Sequence, residues 1–251
     1  MNNRAFIQFN DDLPINVNCF VSMQGFLTLG YQIVPFSKGE PVSGNSEDIV
    51  VHGEIQEVRR VLRDLGKEQP KVLSIPPSLV HHLHRASTEI TLGQIRENVQ
   101  KEGKTVFIKP AAVHKAFNGH VVSSFRDLIR TASLDDSYVV VVQDVVTFLS
   151  EWRSFVLHEK IVHLAHYMGD PLIFPQRQVI EDFVQGYSPE FSPVAYSADF
   201  GVLENGKTAL VEVNDAFSLG AYGMSANPYA RLIEARWKEI IQTDIAPNTP
   251  L

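Results

Sequence analysis

A chain of 251 residues suits one large domain, or two or three small lobes sharing a core. Hydrophobic residues make up 44% and charged ones 20%, which excludes disorder and collagen-like structure. The longest aliphatic run, Val139–Val142, is far short of the ~20 apolar residues a spanning helix needs, and a formal net charge of −7 disfavours binding to a nucleic-acid backbone.

Met1–Phe6 lacks the apolar core of a signal peptide, because Asn10, Asp11 and Asp12 follow at once. Cys19 is the only cysteine and has no internal disulfide partner, so a reducing, cytoplasmic setting is expected. Ala5–Phe9, Tyr31–Pro35 and Asp48–Val51 read as strands, the last two separated by a Gly/Pro/Ser/Asn-rich loop. Ile55, Val58, Val61, Leu62 and Leu65 have helical spacing over Gly53–Leu65, with Gly66 placed to cap. Lys71–Ile75 reads as a strand stopped by Pro76-Pro77. His81, His82 and His84 lack further ligands and are expected to be solvated, not a metal cluster.

A helix is predicted from Thr88 to Gly103, with Thr91 and Gln94 in capping-box form. Strand Thr105–Lys109, helix Ser123–Thr131 and strand Tyr138–Val142 follow. Strands are then expected at Val145–Leu149, Trp152–Leu157, Ile161–Tyr167, Tyr196–Leu203 and Thr208–Asn214. A last helix, Pro228–Gln242, carries Leu232, Ile233, Trp237, Ile240 and Ile241 on one face.

The segment from Asp199 to Asn214 bears the chemistry. Asn205-Gly206 between apolar runs predicts a two-residue type I′ hairpin. In that register Glu204 pairs with Lys207, Asp199 faces Glu212 and Ser197 faces Asn214, the last four sharing one face of the sheet. Two facing carboxylates repel, and a divalent cation removes the penalty. Asp, Glu and an Asn carbonyl are hard oxygen ligands suited to Mg²⁺. Asp199-Phe200-Gly201 also occurs in protein kinases, but the chain has neither their Gly-rich loop nor their His-Arg-Asp motif.

Val106–Pro110, Lys115–Gly119, Glu151–Val156, Asp199–Val202 and Val211–Asn214 resemble, in order and spacing, the motifs of the ATP-grasp superfamily. The resemblance spans about residues 104–215 and is greatest to the clade named for one arginine and two lysines, common in bacteria and phages. It implies an α/β (α+β) fold with an N-terminal α/β lobe (1–80), a small lobe (81–143) and a large lobe (144–251), the last two being antiparallel sheets gripping ATP. Lys109 is implied to meet the inner phosphates and Lys115 the outer ones. Arg153 would meet the γ-phosphate or an acyl phosphate, and Asp199, Glu212 and Asn214 would hold Mg²⁺. Gln143, Asp144 and Val145 fall at the hinge that holds adenine, with Asp144 or Glu151 as the ribose acid.

The implied reaction is ATP-dependent carboxylate–amine ligation through an acyl phosphate, with Arg153 and Lys115 as catalytic groups. Rivals are an ATP-grasp phosphotransferase and a non-catalytic nucleotide-binding module. Expected partners are ATP and carboxylate and amine substrates, an amino acid, peptide or protein among them. A membrane is not expected, nucleic acid is disfavoured, and a homodimer stays open.

Overall fold

Ala5 to Gln8 are buried in succession because their strand, β1 (Arg4–Asn10), is paired on both sides, and a strand covered on both faces reads as a continuous run. The computed structural model describes residues 3–111, 116–187 and 190–243. β2 (Leu13–Pro14) meets the end of β1 antiparallel, while β3 (Gln32–Phe36) and β4 (Ile49–His52) flank it in parallel. Parallel neighbours need a crossover, and α1 (Val17–Thr28) makes the one between β1 and β3. The helix α2 (Ile55–Asp64) follows β4, and Gly66 closes its end at φ +68°.

The second sheet is antiparallel, in the order β5 (Ser87–Thr91), β8 (Val139–Gln143), β6 (Val106–Pro110), β7 (His120–Val122). Ile108, Val122 and Val140 on one face pack with Leu92 and Ile95 of α3 (Leu92–Glu102). Alternation sends Ser87, Glu89, Phe107, Lys109, Val121, Val141 and Gln143 to the other face. The third sheet, also antiparallel, runs β10 (Lys160–Gly169), β9 (Phe148–Leu157), β11 (Ala195–Leu203), β12 (Thr208–Asp215). α4 (Arg177–Gly186) covers one face, with Ile180, Phe183 and Tyr187 against Val156, Phe200 and Leu210. α5 (Ala226–Ile241) returns to the first sheet and joins its core through Tyr229, Leu232 and Trp237. The expected class, an α/β unit followed by two antiparallel sheets, is the one observed. Among the described residues no helix is long and apolar enough to cross a membrane.

Several local expectations are corrected. α1 escapes the periodicity because its buried face is Cys19, Ser22, Gly25 and Phe26, mostly small, while Val17, Phe20 and Leu27 are exposed. Its cap is Asn16, whose Oδ1 accepts from Cys19 N–H at 3.0 Å. α4 was likewise not foreseen. Thr88–Thr91 is strand because β8 lies alongside it, and the Thr91/Gln94 capping box starts the helix only at Leu92. Val145–Leu149 and Trp152–Leu157 are not two strands; one strand begins at Phe148. Ser123–Thr131 narrows to a 3-10 turn, Phe125–Thr131. Lys71–Ile75 finds no strand partner. His82 is buried edge-on to Phe183 rather than solvated, whereas His81 and His84 are exposed.

The packing of α1 and β4 makes two outcomes testable. A Cβ added at Gly25 would meet the backbone oxygen of Ala226 and lie 2.6 Å from Ala230 Cβ. Gly25→Ala therefore drives α1 off α5, with an expected loss of about 2 kcal/mol in denaturant unfolding. His52 is fully buried between Ser22 Oγ (2.8 Å from Nδ1) and Tyr229 (3.3 Å from Nε2), and burial pushes its pKa down to about 4. The unfolded chain binds a proton near 6.5 that the folded one refuses, so neutral His52 contributes fully above that pH and its share fades from there towards 4. The share is at most about 3 kcal/mol. Melting temperatures of wild type and His52→Gln at pH 7.5 and 4.5 should differ in slope, the variant losing less on acidification.

Candidate nucleotide-binding site

The β11–β12 hairpin sets the geometry. A type I′ turn needs positive φ at both central residues, and of Asn205 and Gly206 only Gly206 has it, at +78°. Gly206 N–H donates to Leu203 O (2.8 Å) and Leu203 N–H to Lys207 O (2.9 Å), so the loop has three residues, Glu204 to Gly206. Phe200 consequently faces Leu210, one step away from the predicted ladder. A β-bulge that passes over Val211 restores the step: Asp199 faces Glu212 and Ser197 faces Asn214, as expected.

Ala165, Arg153, Asp199 and Glu212 are successive cross-strand partners over β10, β9, β11 and β12. Arg153 Nε donates to Asp199 Oδ1 at 2.8 Å and Nη2 to Oδ2 at 2.6 Å. Nη2 also lies 3.9 Å from Glu212 Oε1, which accepts from Asn214 Nδ2 at 2.9 Å. The expected repulsion of two bare carboxylates is thus met by Arg153 on the neighbouring strand. Asp199 is 1% exposed, whereas the Glu212 side chain is 41% exposed. Burial pushes the Asp199 pKa up to about 6 against the bonds and charge of Arg153, and the Glu212 and Glu151 charges add to the rise. Burial also works against the Arg153 charge, but Asp199 outweighs it and the guanidinium pKa rises.

Tyr222 stacks on Arg153, the guanidinium carbon 4.5 Å from its ring centre, with the Tyr167 ring at 5.8 Å. Tyr222 holds a left-handed φ of +46°, uncommon for a bulky residue, and its loop is tied to the first sheet's side through Ala221 N–H on Asn18 Oδ1 (2.9 Å). Tyr167 OH donates to Glu151 at 2.7 Å. Arg153 Nη1 makes no hydrogen bond among the described residues.

Opposite this row stands the second sheet with Lys109, whose pKa is lowered by burial against the pull of Glu212. A slot of about 220 Å³ lies between the sheets, walled by Phe107, Val121 and Phe148, with Lys109, Glu151 and Glu212 at its polar end. Gln143, Asp144 and Val145 line it at the chain crossing between the sheets. The Gln143 side chain is engaged, accepting from Arg85 Nε (3.0 Å) and donating to Ser87 (3.2 Å). The Asp144 N–H donates to Ala86 O, while the backbone of exposed Val145 pairs with nothing among the described residues. A second chamber, about 500 Å³, adjoins the slot and shares Lys109, Gln143 and Glu212 with it.

The structure therefore brings together Lys109, Gln143, Asp144, Val145, Arg153, Asp199, Glu212 and Asn214; Lys115 lies outside the described residues. Both ribose-acid candidates, Asp144 and Glu151, line the slot. Arg85 went unnoticed in the sequence. It donates to Leu83 O, Leu210 O (2.7 Å) and Val211 O (3.0 Å) as well as Gln143, and burial lowers its pKa to about 10. A lone arginine ahead of a short strand has no spacing signature.

The donor set fits Mg²⁺. Glu212 is open to solvent on one side, Asn214 keeps its carbonyl oxygen free, and each Asp199 oxygen has a second lone pair beyond Arg153. At about 220 Å³, with Phe107, Val121 and Phe148 as its walls, the slot has room for an adenine-sized apolar ring.

Residues 82–232 match the family model for an ATP-grasp domain, the second family of the clade named for one arginine and two lysines. Among solved structures, a RimK domain ATP-grasp protein from Sphaerobacter thermophilus DSM 20745 is similar with a TM-score of 0.54 at 15% identity, over 95% of this chain and 99% of that one. D-alanyl-alanine synthetase A from Vibrio cholerae O1 biovar eltor str. N16961 gives 0.54 at 12%, over 96% and 97%. The ATP-grasp ligase PsnB complexed with minimal precursor, Mg and ADP gives 0.51 at 11%, over 94% and 97%. Identities this low carry the fold alone. No curated protein matches the sequence. By its family match, over more than half its length, the chain belongs to the ATP-grasp proteins, in the second family of the one-arginine, two-lysine clade.

Proposed function

We propose that this chain is a cytoplasmic ATP-dependent carboxylate–amine ligase, with an N-terminal lobe (1–80) and small (81–143) and large (144–251) lobes closing on ATP. The observation that carries the reading is the single row Arg153–Asp199–Glu212, with Asn214 beside it, across a slot from Lys109. A substrate carboxylate oxygen attacks the γ-phosphorus and the bond to ADP breaks, leaving an acyl phosphate. An amine nitrogen then attacks the acyl carbon, the C–N bond forms, phosphate departs with the C–O electron pair, and the amine proton passes to solvent.

The protein's part is placement and charge. Lys109 neutralises the inner phosphates, and the unengaged Nη1 of Arg153 meets the transferred group. Lys115 serves the outer phosphates and, with Arg153, the transfer itself. Val145 offers its free backbone to adenine at the Gln143–Asp144 crossing. Asp199, Glu212 and Asn214 hold Mg²⁺, which when bound offsets phosphate charge. Supporting neighbours include enzymes named as ligases and synthetases. Product analysis separates the chemistry: an amide supports ligation, and a stable phosphoester would make the protein a phosphotransferase.

Calorimetry should give Mg²⁺-dependent ATP binding with Kd of about 1 μM–1 mM; no heat at millimolar ATP with or without Mg²⁺ would end the nucleotide reading. The two carboxylates should part company on substitution. Glu212→Gln alters a half-exposed group, so basal stability stays within about 0.5 kcal/mol, yet the melting shift from Mg²⁺ and a non-hydrolysable ATP analogue should vanish. Asp199→Asn strands Arg153 without its partner and should destabilise by about 3 kcal/mol. Melting curves of both variants with and without ligand check this, and a full ligand shift in Glu212→Gln removes Glu212 from the metal site.

A further inference from the structure

The slot has room for an adenine ring, while Lys109, Glu212 and Asn214, assigned above to phosphate and Mg²⁺, also line the larger chamber, whose remaining walls have no part in that assignment. One wall of the chamber is apolar, with Val72, Leu73 and Ile75 of the segment entering the second sheet, Val80 and Leu83 of the following turn, and Val213 of β12; much of the rest is polar, Ser87, Thr88, Glu89 and Asn118 among it. At about 500 Å³ it is within the roughly 300–1,000 Å³ of sites that take small organic ligands. It meets the slot at Lys109, Gln143 and Glu212, so an occupant lies beside the inner-phosphate lysine and a proposed metal ligand.

Two further features narrow the occupant. The first is the wall segment itself. Val72, Leu73 and Ile75 are half-buried, yet their backbone N–H and C=O groups make no hydrogen bond among the described residues. Main-chain groups that no strand pairs, here with Ser74 O accepting from Tyr187 OH at 3.0 Å, are a template for another main chain. The second is Glu89, which lines the chamber and has no hydrogen bond or ion pair among the described residues. Glu89, Val141 and Lys109 are cross-strand partners over β5, β8 and β6. Two strand spacings, about 10 Å, therefore separate the Glu89 and Lys109 backbones. An unpaired carboxylate selects a cation, and beside an apolar wall that cation is an ammonium on a largely apolar molecule.

We propose that this chamber binds the amino-terminal end of an apolar peptide, the free ammonium on Glu89 and the main chain along Val72–Ile75. The assignment rests on the ligase reading above and names its amine substrate as a peptide rather than a free amino acid. The peptide's side chains take the apolar wall, its backbone satisfies the segment that no strand pairs, and its amine is held in the same cross-strand row as Lys109. A nucleic acid is disfavoured, because its phosphates would face Glu89 and Glu212 with Lys109 the one cation among the described lining residues.

Calorimetry on the full chain decides it, with Val-Leu-Ala as the probe and N-acetyl-Val-Leu-Ala, Gly-Ser-Gly and free valine as comparisons. Each is titrated with and without Mg²⁺ and a non-hydrolysable ATP analogue. Val-Leu-Ala should bind at least tenfold tighter than each comparison, and Glu89→Gln should remove most of the advantage over the acetylated form. Equal affinity for the free and acetylated peptides, an unchanged preference in Glu89→Gln, or no peptide binding at millimolar concentration overturns the proposal. Free valine binding as tightly as the tripeptide overturns the peptide assignment. The analogue's own binding to wild type is read in the same cell, so a nucleotide failure is seen separately, and the titrations without nucleotide still judge the chamber.

Discussion

The cleft is organised by one buried charge pair. Every residue of β11 is buried, and Asp199 sits at its middle, where an unpaired carboxylate would cost several kcal/mol. Arg153 meets it with two parallel bonds, the geometry in which a guanidinium best compensates a carboxylate. Because the pair spans adjacent central strands, it also fixes which residues can share their face. Glu151 is two residues from Arg153 on one strand, Glu212 lies across from Asp199 on the next, and both feel the same guanidinium neighbourhood. Tyr222 covers the arginine while holding a left-handed backbone, a strain of about 1–3 kcal/mol that the surrounding contacts must offset.

The slot is close to neutral before any ligand arrives: Glu151, Asp199 and Glu212 stand with Arg85, Lys109 and Arg153, and Asp144 pairs with Lys104. Such a site does not draw anions by a general field. A triphosphate would be selected by placed donors, and its surplus charge calls for a divalent cation.

Much of this was legible in the sequence because its carriers are local. The acids flanking Asn205-Gly206 are read from hairpin spacing, whereas Lys109 at the end of its strand and Arg153 between Trp152 and Ser154 stand out only through the resemblance to the ATP-grasp motifs. The facing of Asp199 and Glu212 was right although both assumptions behind it failed. The turn takes in Glu204 from the β11 side, one residue more than Asn205-Gly206 suggests, and the bulge at Val211 adds one on the opposite strand, β12, so the two departures cancel at the site. Neither can be seen in a hydrophobic pattern. The same limit hid α1, whose buried stripe is small because Gly25 lets α5 come within backbone contact. It also made a strand of Lys71–Ile75, where β-propensity is satisfied but no strand pairs with it among the described residues. Arg85 has only long-range partners apart from Leu83, and no window of sequence contains them.

The bulge does more than repair the ladder. Its two carbonyls, Leu210 O and Val211 O, are the ones Arg85 holds, and the same guanidinium holds Gln143 at the end of β8. One side chain thereby pins the rim of one sheet to the rim of the other along the edge nearest the chain crossing. Two plates pinned along one edge separate only by rotating about it, so displacement grows with distance from Arg85. The far margin, where the β6–β7 connection reaches Phe117, Asn118 and Gly119, has the longest lever arm. Any separation of the two sheets is therefore least at Gln143, where Arg85 holds both.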